Sequence, residues 1–105
     1  MPPASGEGGP YQVNLSGLIA EEFRTLQYQA TREGRGRELL RSMRAAHEAL
    51  RRAPFDLGEP LYRLPALRMQ IRCAIIRPLS IDFAVCEDRP LVFLKAVRLL
   101  AAAES

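Results

Sequence analysis

The sequence predicts an α+β fold in which a helical hairpin packs on one face of a sheet. Three observations predict it: a short alternating segment near the start, two amphipathic helical segments after it, and several closely spaced alternating segments in the second half. Strands that follow a run of helices are typical of α+β domains. The predicted order is an N-terminal strand, an antiparallel helical hairpin, and a three- to four-stranded antiparallel meander.

The length and the first ten residues define the predicted domain. A chain of 105 residues fits one domain with one modest core. The start, MPPASGEGGP, is rich in proline and glycine and has no apolar periodicity, so we expect a disordered lead-in over 1–10 and a single domain over 11–105. Neither a signal peptide nor an apolar run of roughly 20 residues is present, and we expect a cytoplasmic protein without membrane contact.

The first half of the domain reads as one strand and two helices. The segment YQVNLS alternates apolar and polar residues, as a strand with one buried face does. Ser16 is a good N-cap for the helix that follows, and we expect Gly34 and Gly36 to end that helix. A second helix is predicted over 38–53, because apolar residues recur there at helical spacing and Pro54 closes the run.

The second half contains four strand-like segments: LYRL, LRMQIRCAII, LSIDFAV and LVFLKAV. Proline-containing breaks and the turn EDRP separate them, as expected for a meander. In LRMQIRC the alternation places Arg68, Gln70 and Arg72 on a single face, which we expect to be the outward, polar face of the sheet.

The two cysteines give no sign of a metal or a disulfide. They are thirteen positions apart, without a CxxC spacing or a histidine cluster. In the predicted strands Cys73 joins the apolar face, whereas Cys86 is in phase with Asp82 and Ala84, so we expect two reduced thiols. We also expect no metal and no cofactor, because neither a phosphate-binding glycine loop nor a nucleophile with a nearby base is present.

The charge balance permits an anionic partner. The net charge is +3 with a pI near 9.3, and every basic residue except Lys95 is arginine. Arginine favours bidentate phosphate contacts, although GC-rich coding would produce the same bias. On the second helix an arc of about 100° holds five arginines and Glu48. This arc is either a solvated face with charges paired at four-residue spacing, or a contact surface for nucleic acid or an acidic partner.

These segments together resemble the RelE/ParE superfamily of toxins from bacterial type II toxin–antitoxin systems. The resemblance is carried by YQVNLS leading into GLIAEEFRTLQYQA, by ALRRAPF at the end of the second helix, by GEPLYRL, and by PLSIDFAVCEDRPLVFLKAV. It covers nearly everything after residue 10. It implies a cognate antitoxin that wraps the helical hairpin and the sheet, and a target that is either DNA gyrase or the translating ribosome with its mRNA.

The ribonuclease branch of that superfamily lets the 2′-hydroxyl of mRNA attack the adjacent phosphate, which needs cations around the phosphate and groups that move protons. The resemblance implies a phosphate cradle formed by Arg68, Arg72, Lys95 and Arg98. The chain departs from the branch at Gln70 and Ser80, where a lysine and an arginine are usual, and at its end, which has no tyrosine or histidine. Whether the protein is an enzyme is therefore open.

Three functions remain at this point. The first is a toxin-like component that binds gyrase or the translating ribosome, as in the ParE branch, and is neutralised by a small antitoxin. The second is a metal-free, ribosome-dependent mRNA endoribonuclease with a degenerate cationic site. The third is a non-toxic binding module on the same scaffold. The residues expected to bind nucleic acid or a partner are Arg37, Arg41, Arg44, Arg51, Arg52, Arg63 and Gln70.

Overall fold

A computed structural model describes residues 10–101, in which two helices pack against one face of a five-stranded mixed sheet. The helices are α1 (Gly17–Arg32) and α2 (Gly36–Arg52). The strands are β1 (Gln12–Asn14), β2 (Glu59–Leu64), β3 (Met69–Ile76), β4 (Leu79–Cys86) and β5 (Leu91–Leu99). The predicted α+β class is confirmed. Apart from Pro10, the predicted lead-in lies outside the described residues.

The sheet has the strand order β1-β5-β4-β3-β2. Strands β2 to β5 form the predicted antiparallel meander, here with four strands. The first strand departs from a purely antiparallel sheet, because β1 pairs in parallel with β5, with Gln12 beside Leu91. A parallel partner needs a long crossover, and the helical hairpin together with the first strands of the meander supplies it.

The predicted hairpin is present, with small changes at the link between its helices. Ser16 caps α1 by accepting a hydrogen bond from the Ile19 amide at 3.1 Å. Gly34 has a φ of +77°, which glycine adopts without a Cβ penalty, and it lies in the link after α1. Gly36 begins α2 instead of ending α1. No helix within residues 10–101 is long and apolar enough to cross a membrane.

The core lies between the helices and one face of the sheet. On β4 the alternate residues Leu79, Ile81, Phe83 and Val85 are buried in the cluster that also contains Leu39 and Leu50 of α2. Each fully buried side chain of this size contributes about 1.5–3 kcal/mol. The intervening residues of β4 point to the other side of the sheet. We call the helix-covered side the core face and the other side the open face.

The expected orientation of LRMQIRC is wrong. In the register of the sheet, Arg72 pairs with Phe83 and Gln70 pairs with Val85, so both belong to the core face. Arg68 is not in the strand at all, because it precedes β3 with a left-handed φ of +53°. Alternation shows which residues share a face, but not which face is covered. Here Ala74, in phase with Arg72, lies in the core.

The cysteines also lie differently from the prediction. Cys73 pairs with Asp82 and therefore shares the open face with Cys86, instead of lying on the opposite face. Cys86 pairs with Met69, which is four positions from Cys73 on β3. The two cysteines are therefore about 13 Å apart along the strand direction. That separation exceeds disulfide reach, and both are free. Burial raises the pKa of both thiols, which makes them weak nucleophiles at neutral pH.

Candidate functional site

Arg72 is buried and bonded entirely within the fold. It is 7% exposed, and its Nε and Nη2 donate to the carbonyls of Leu57 and Gly58, each at 3.1 Å. Its Nη1 donates to Oε1 of Gln70 at 2.5 Å. These bonds hold segment 57–58 against β3. Two of the residues expected to contact RNA or a partner, Arg72 and Gln70, therefore bind each other and the loop instead.

Gly58 allows this close approach of the loop to β3. Its φ is +68°, and a Cβ added there would lie 2.0 Å from the carbonyl oxygen of Cys73. No other residue type fits this position without a shift of backbone. Arg72 and Gly58 therefore act together as an anchor for the loop that leads into β2.

Arg63 and Arg68 lie beside the turn between β4 and β5. Arg63 forms a two-pronged ion pair with Glu87, with Nε–Oε2 and Nη2–Oε1 distances of 2.5 and 2.7 Å. The Arg63 guanidinium lowers the pKa of Glu87, and the carboxylate raises the pKa of Arg63. Arg68 is exposed, and its Nη1 is 3.8 Å from Oδ2 of Asp88. These contacts connect edge strand β2 and the start of β3 to the turn.

Lys95 and Arg98 belong to the last strand. Arg98 lies on the open face, and its Nη2 is 3.0 Å from Oδ1 of Asp82. Lys95 is exposed and is the extra residue of a β-bulge, since Asp82 pairs with Ala96 and the next residue of β4 pairs with Leu94. Sequence reasoning missed the Asp82–Arg98 pair, because its diagonal contact depends on the register of two strands.

The four predicted cradle residues do not come together. Arg72 is on the core face and Arg98 is on the open face. The carbonyl of Arg68 accepts a hydrogen bond from the amide of Glu87, so Arg68 lies level with Glu87 in the sheet. Lys95 is therefore separated from Arg68 by about 15 Å along the strands and about 10 Å across them. These residues cannot enclose one phosphate group in this arrangement.

The arginines of α2 divide into two groups. Glu48 pairs with Arg51 at 3.4 Å and with Arg52 at 2.6 Å. The three arginines nearer the start of the helix are exposed, and no carboxylate of residues 10–101 lies within 4.0 Å of them. These three are Arg37, Arg41 and Arg44. A solvated face with paired charges, the first of the two interpretations of the arginine arc, therefore describes only the end of α2.

A concave groove of about 630 Å³ lies where the open face meets the start of α1. Its walls are mainly apolar and include Leu18, Leu67, Met69 and Phe93, with Lys95 among the polar residues. Leu18 and Leu67 are 69% and 62% exposed. We call this the open-face groove. The sequence pattern alone could not indicate that α1 forms one wall of this groove.

A smaller cavity of about 310 Å³ lies between the helical hairpin and the sheet. Phe23, Met43 and Leu50 are among the residues that line it, and His47 is the one ionisable residue in the lining. In the described part of the chain, no three His, Cys, Asp or Glu side chains are grouped closely enough to hold a metal ion. The arrangement offers binding surfaces of two kinds, an apolar groove and a cationic helix face.

The chain matches no family model, no curated protein and no solved structure.

Proposed function

We propose that this protein is the toxin-like component of a toxin–antitoxin module of the RelE/ParE type, acting by binding to gyrase or to the translating ribosome. The order of elements supports the proposal most strongly. A strand, a helical hairpin and a strand meander follow one another, with the helices on one face of the sheet. This is the order that the resemblance of the sequence implies.

Binding fits the geometry better than RNA cleavage does. Cleavage by the 2′-hydroxyl route requires cations gathered around one phosphate and groups placed to move protons. Here Arg72 is occupied with loop carbonyls, and Arg98 is paired with Asp82. A toxin that acts by occupying a surface of its target does not need a cradle.

The open-face groove is suited to an antitoxin. It is a concave surface with exposed apolar side chains, which is the kind of surface that a partner helix or strand covers. The neighbouring edge of the sheet is β1, a strand of only three residues, so a partner segment can approach the groove from that side.

Expression from a tightly controlled promoter in a bacterial host tests the proposal. We expect growth arrest by the intact chain and relief of the arrest by the product of a neighbouring small gene. The matched control is Leu50→Asp, which places a carboxylate in the core at a residue that is 1% exposed and should prevent folding. Normal growth at confirmed expression of folded, soluble protein would overturn the proposal.

A further inference from the structure

The five arginines of α2 lie on one continuous surface. The α2 arginine stripe consists of Arg37, Arg41, Arg44, Arg51 and Arg52. At about 100° and 1.5 Å per residue it occupies an arc of about 100° and a length of about 22 Å. Glu48 is the one acidic residue within it.

Within residues 10–101, seven cations have no carboxylate within 4.0 Å, and three of the seven lie together on α2. The seven are Arg32, Arg37, Arg41, Arg44, Arg72, Arg77 and Lys95. Elsewhere in residues 10–101 most arginines have a carboxylate within 4.0 Å, as in the pairs of Arg24, Arg35, Arg63, Arg89 and Arg98. Arg72 is bonded to carbonyls, and Arg32 lies over the ring of Tyr28. Three neighbouring guanidinium groups without carboxylate partners repel one another, so an anion placed against them removes an unfavourable interaction.

The stripe is held by a rigid support. On the opposite side of α2, Leu39, Ser42, Ala46 and Leu50 are buried against the sheet. The hydroxyl of Ser42 donates to the carbonyl of Arg77 at 2.5 Å, which fixes the helix to the start of the turn before β4. A rigid row of forked donors binds phosphates with little loss of conformational entropy.

We propose that the α2 arginine stripe binds the phosphodiester backbone of a double-helical nucleic acid without reading its sequence. Each strand of a duplex presents one phosphate about every 3.4 Å along the axis, and we assign one phosphate contact to each of Arg37, Arg41 and Arg44. Arginine forms bidentate contacts with phosphate, and the lone carboxylate of Glu48 is already neutralised by Arg51 and Arg52. This contact does not depend on the proposed function, because binding can be measured whether or not the chain arrests growth.

The test is a fluorescence-anisotropy titration of labelled duplexes of about 20 base pairs, one of RNA and one of DNA, between about 50 and 200 mM salt. The stripe variant is Arg37→Gln with Arg41→Gln and Arg44→Gln. The control variant is Arg24→Gln with Arg32→Gln and Arg89→Gln. Each triple change lowers the net charge from +3 to 0 (3 − 3), so the two variants differ only in where the charge is removed.

We expect the intact chain and the control variant to bind with similar steep salt dependence. The stripe variant should lose about 2.7 from the slope of log K against log salt on duplex DNA, since three phosphate contacts contribute about 0.9 each. Circular dichroism should show the same helix content in all three proteins. Three results would overturn the inference: equal losses in both variants, no binding by the intact chain at the lowest salt, or tighter binding of polyglutamate than of either duplex. Preference for RNA over DNA would identify the duplex form without changing the assignment of the surface.

Discussion

Replacing Arg72 with methionine tests whether the buried guanidinium holds segment 57–58 against the sheet. Methionine keeps much of the apolar stem and removes all three hydrogen bonds of the guanidinium. The carbonyls of Leu57 and Gly58 then lose a charged donor. Bonds of this kind contribute about 1.5–3 kcal/mol each. Half of that value for each of the two partly buried carbonyls gives a total loss of about 1.5–3 kcal/mol. A domain of this size unfolds with only about 5–15 kcal/mol, so the change is readily measured.

Urea denaturation followed by far-ultraviolet circular dichroism measures this loss. The matched control is Arg68→Met, since Arg68 is exposed and has one ion pair at 3.8 Å. We expect the control to change the free energy of unfolding by less than about 0.5 kcal/mol. If the two variants were equally stable, Arg72 would not be the anchor of segment 57–58.

Three further predictions concern the loop, the β4–β5 turn and the first helix. Gly58→Ala should destabilise the fold by about 3 kcal/mol in urea denaturation, because it combines a left-handed φ with a clash against the carbonyl of Cys73. Glu87→Gln should lower the stability of the fold above about pH 4.3 and leave it unchanged well below that pH. The reason is that Arg63 lowers the pKa of Glu87, so the stabilisation by the ionised carboxylate is lost as the pH falls through the lowered pKa. Melting temperatures of the intact chain and the Glu87→Gln variant, measured from neutral pH down into acid, should differ less as the pH falls. A constant difference would contradict the prediction. Ser16→Ala should cost about 1 kcal/mol through loss of the N-cap, and an unchanged urea midpoint would show that the cap contributes nothing.

Local patterns in the sequence were sufficient for the elements of the fold. Helical spacing and Ser16 located α1, and period-2 alternation with proline-containing breaks located the four strands of the meander. The parallel pairing of β1 with β5 had no local signal, because it joins residues about 80 positions apart in the chain and depends on how the hairpin packs.

The candidate site was harder to predict, because faces and partners are set by register. The alternation of LRMQIRC correctly placed Gln70 and Arg72 on one side, but an arginine in a strand suggests solvent, and only the loop carbonyls explain why Arg72 is buried. The same limit applies to α2. The sequence located its arginine arc. The structure was needed to show that Arg51 and Arg52 pair with Glu48, whereas Arg41 and Arg44 have no carboxylate of residues 10–101 within 4.0 Å.

We propose that this chain acts by binding and not by cutting RNA. Primer extension on messenger RNA from cells arrested by its expression distinguishes these two activities. The proposed function predicts intact messages, with the same 5′ ends in arrested cells as in uninduced cells. New 5′ ends within translated regions, present with the intact chain and absent with Leu50→Asp, would contradict it and would favour a ribosome-dependent endoribonuclease.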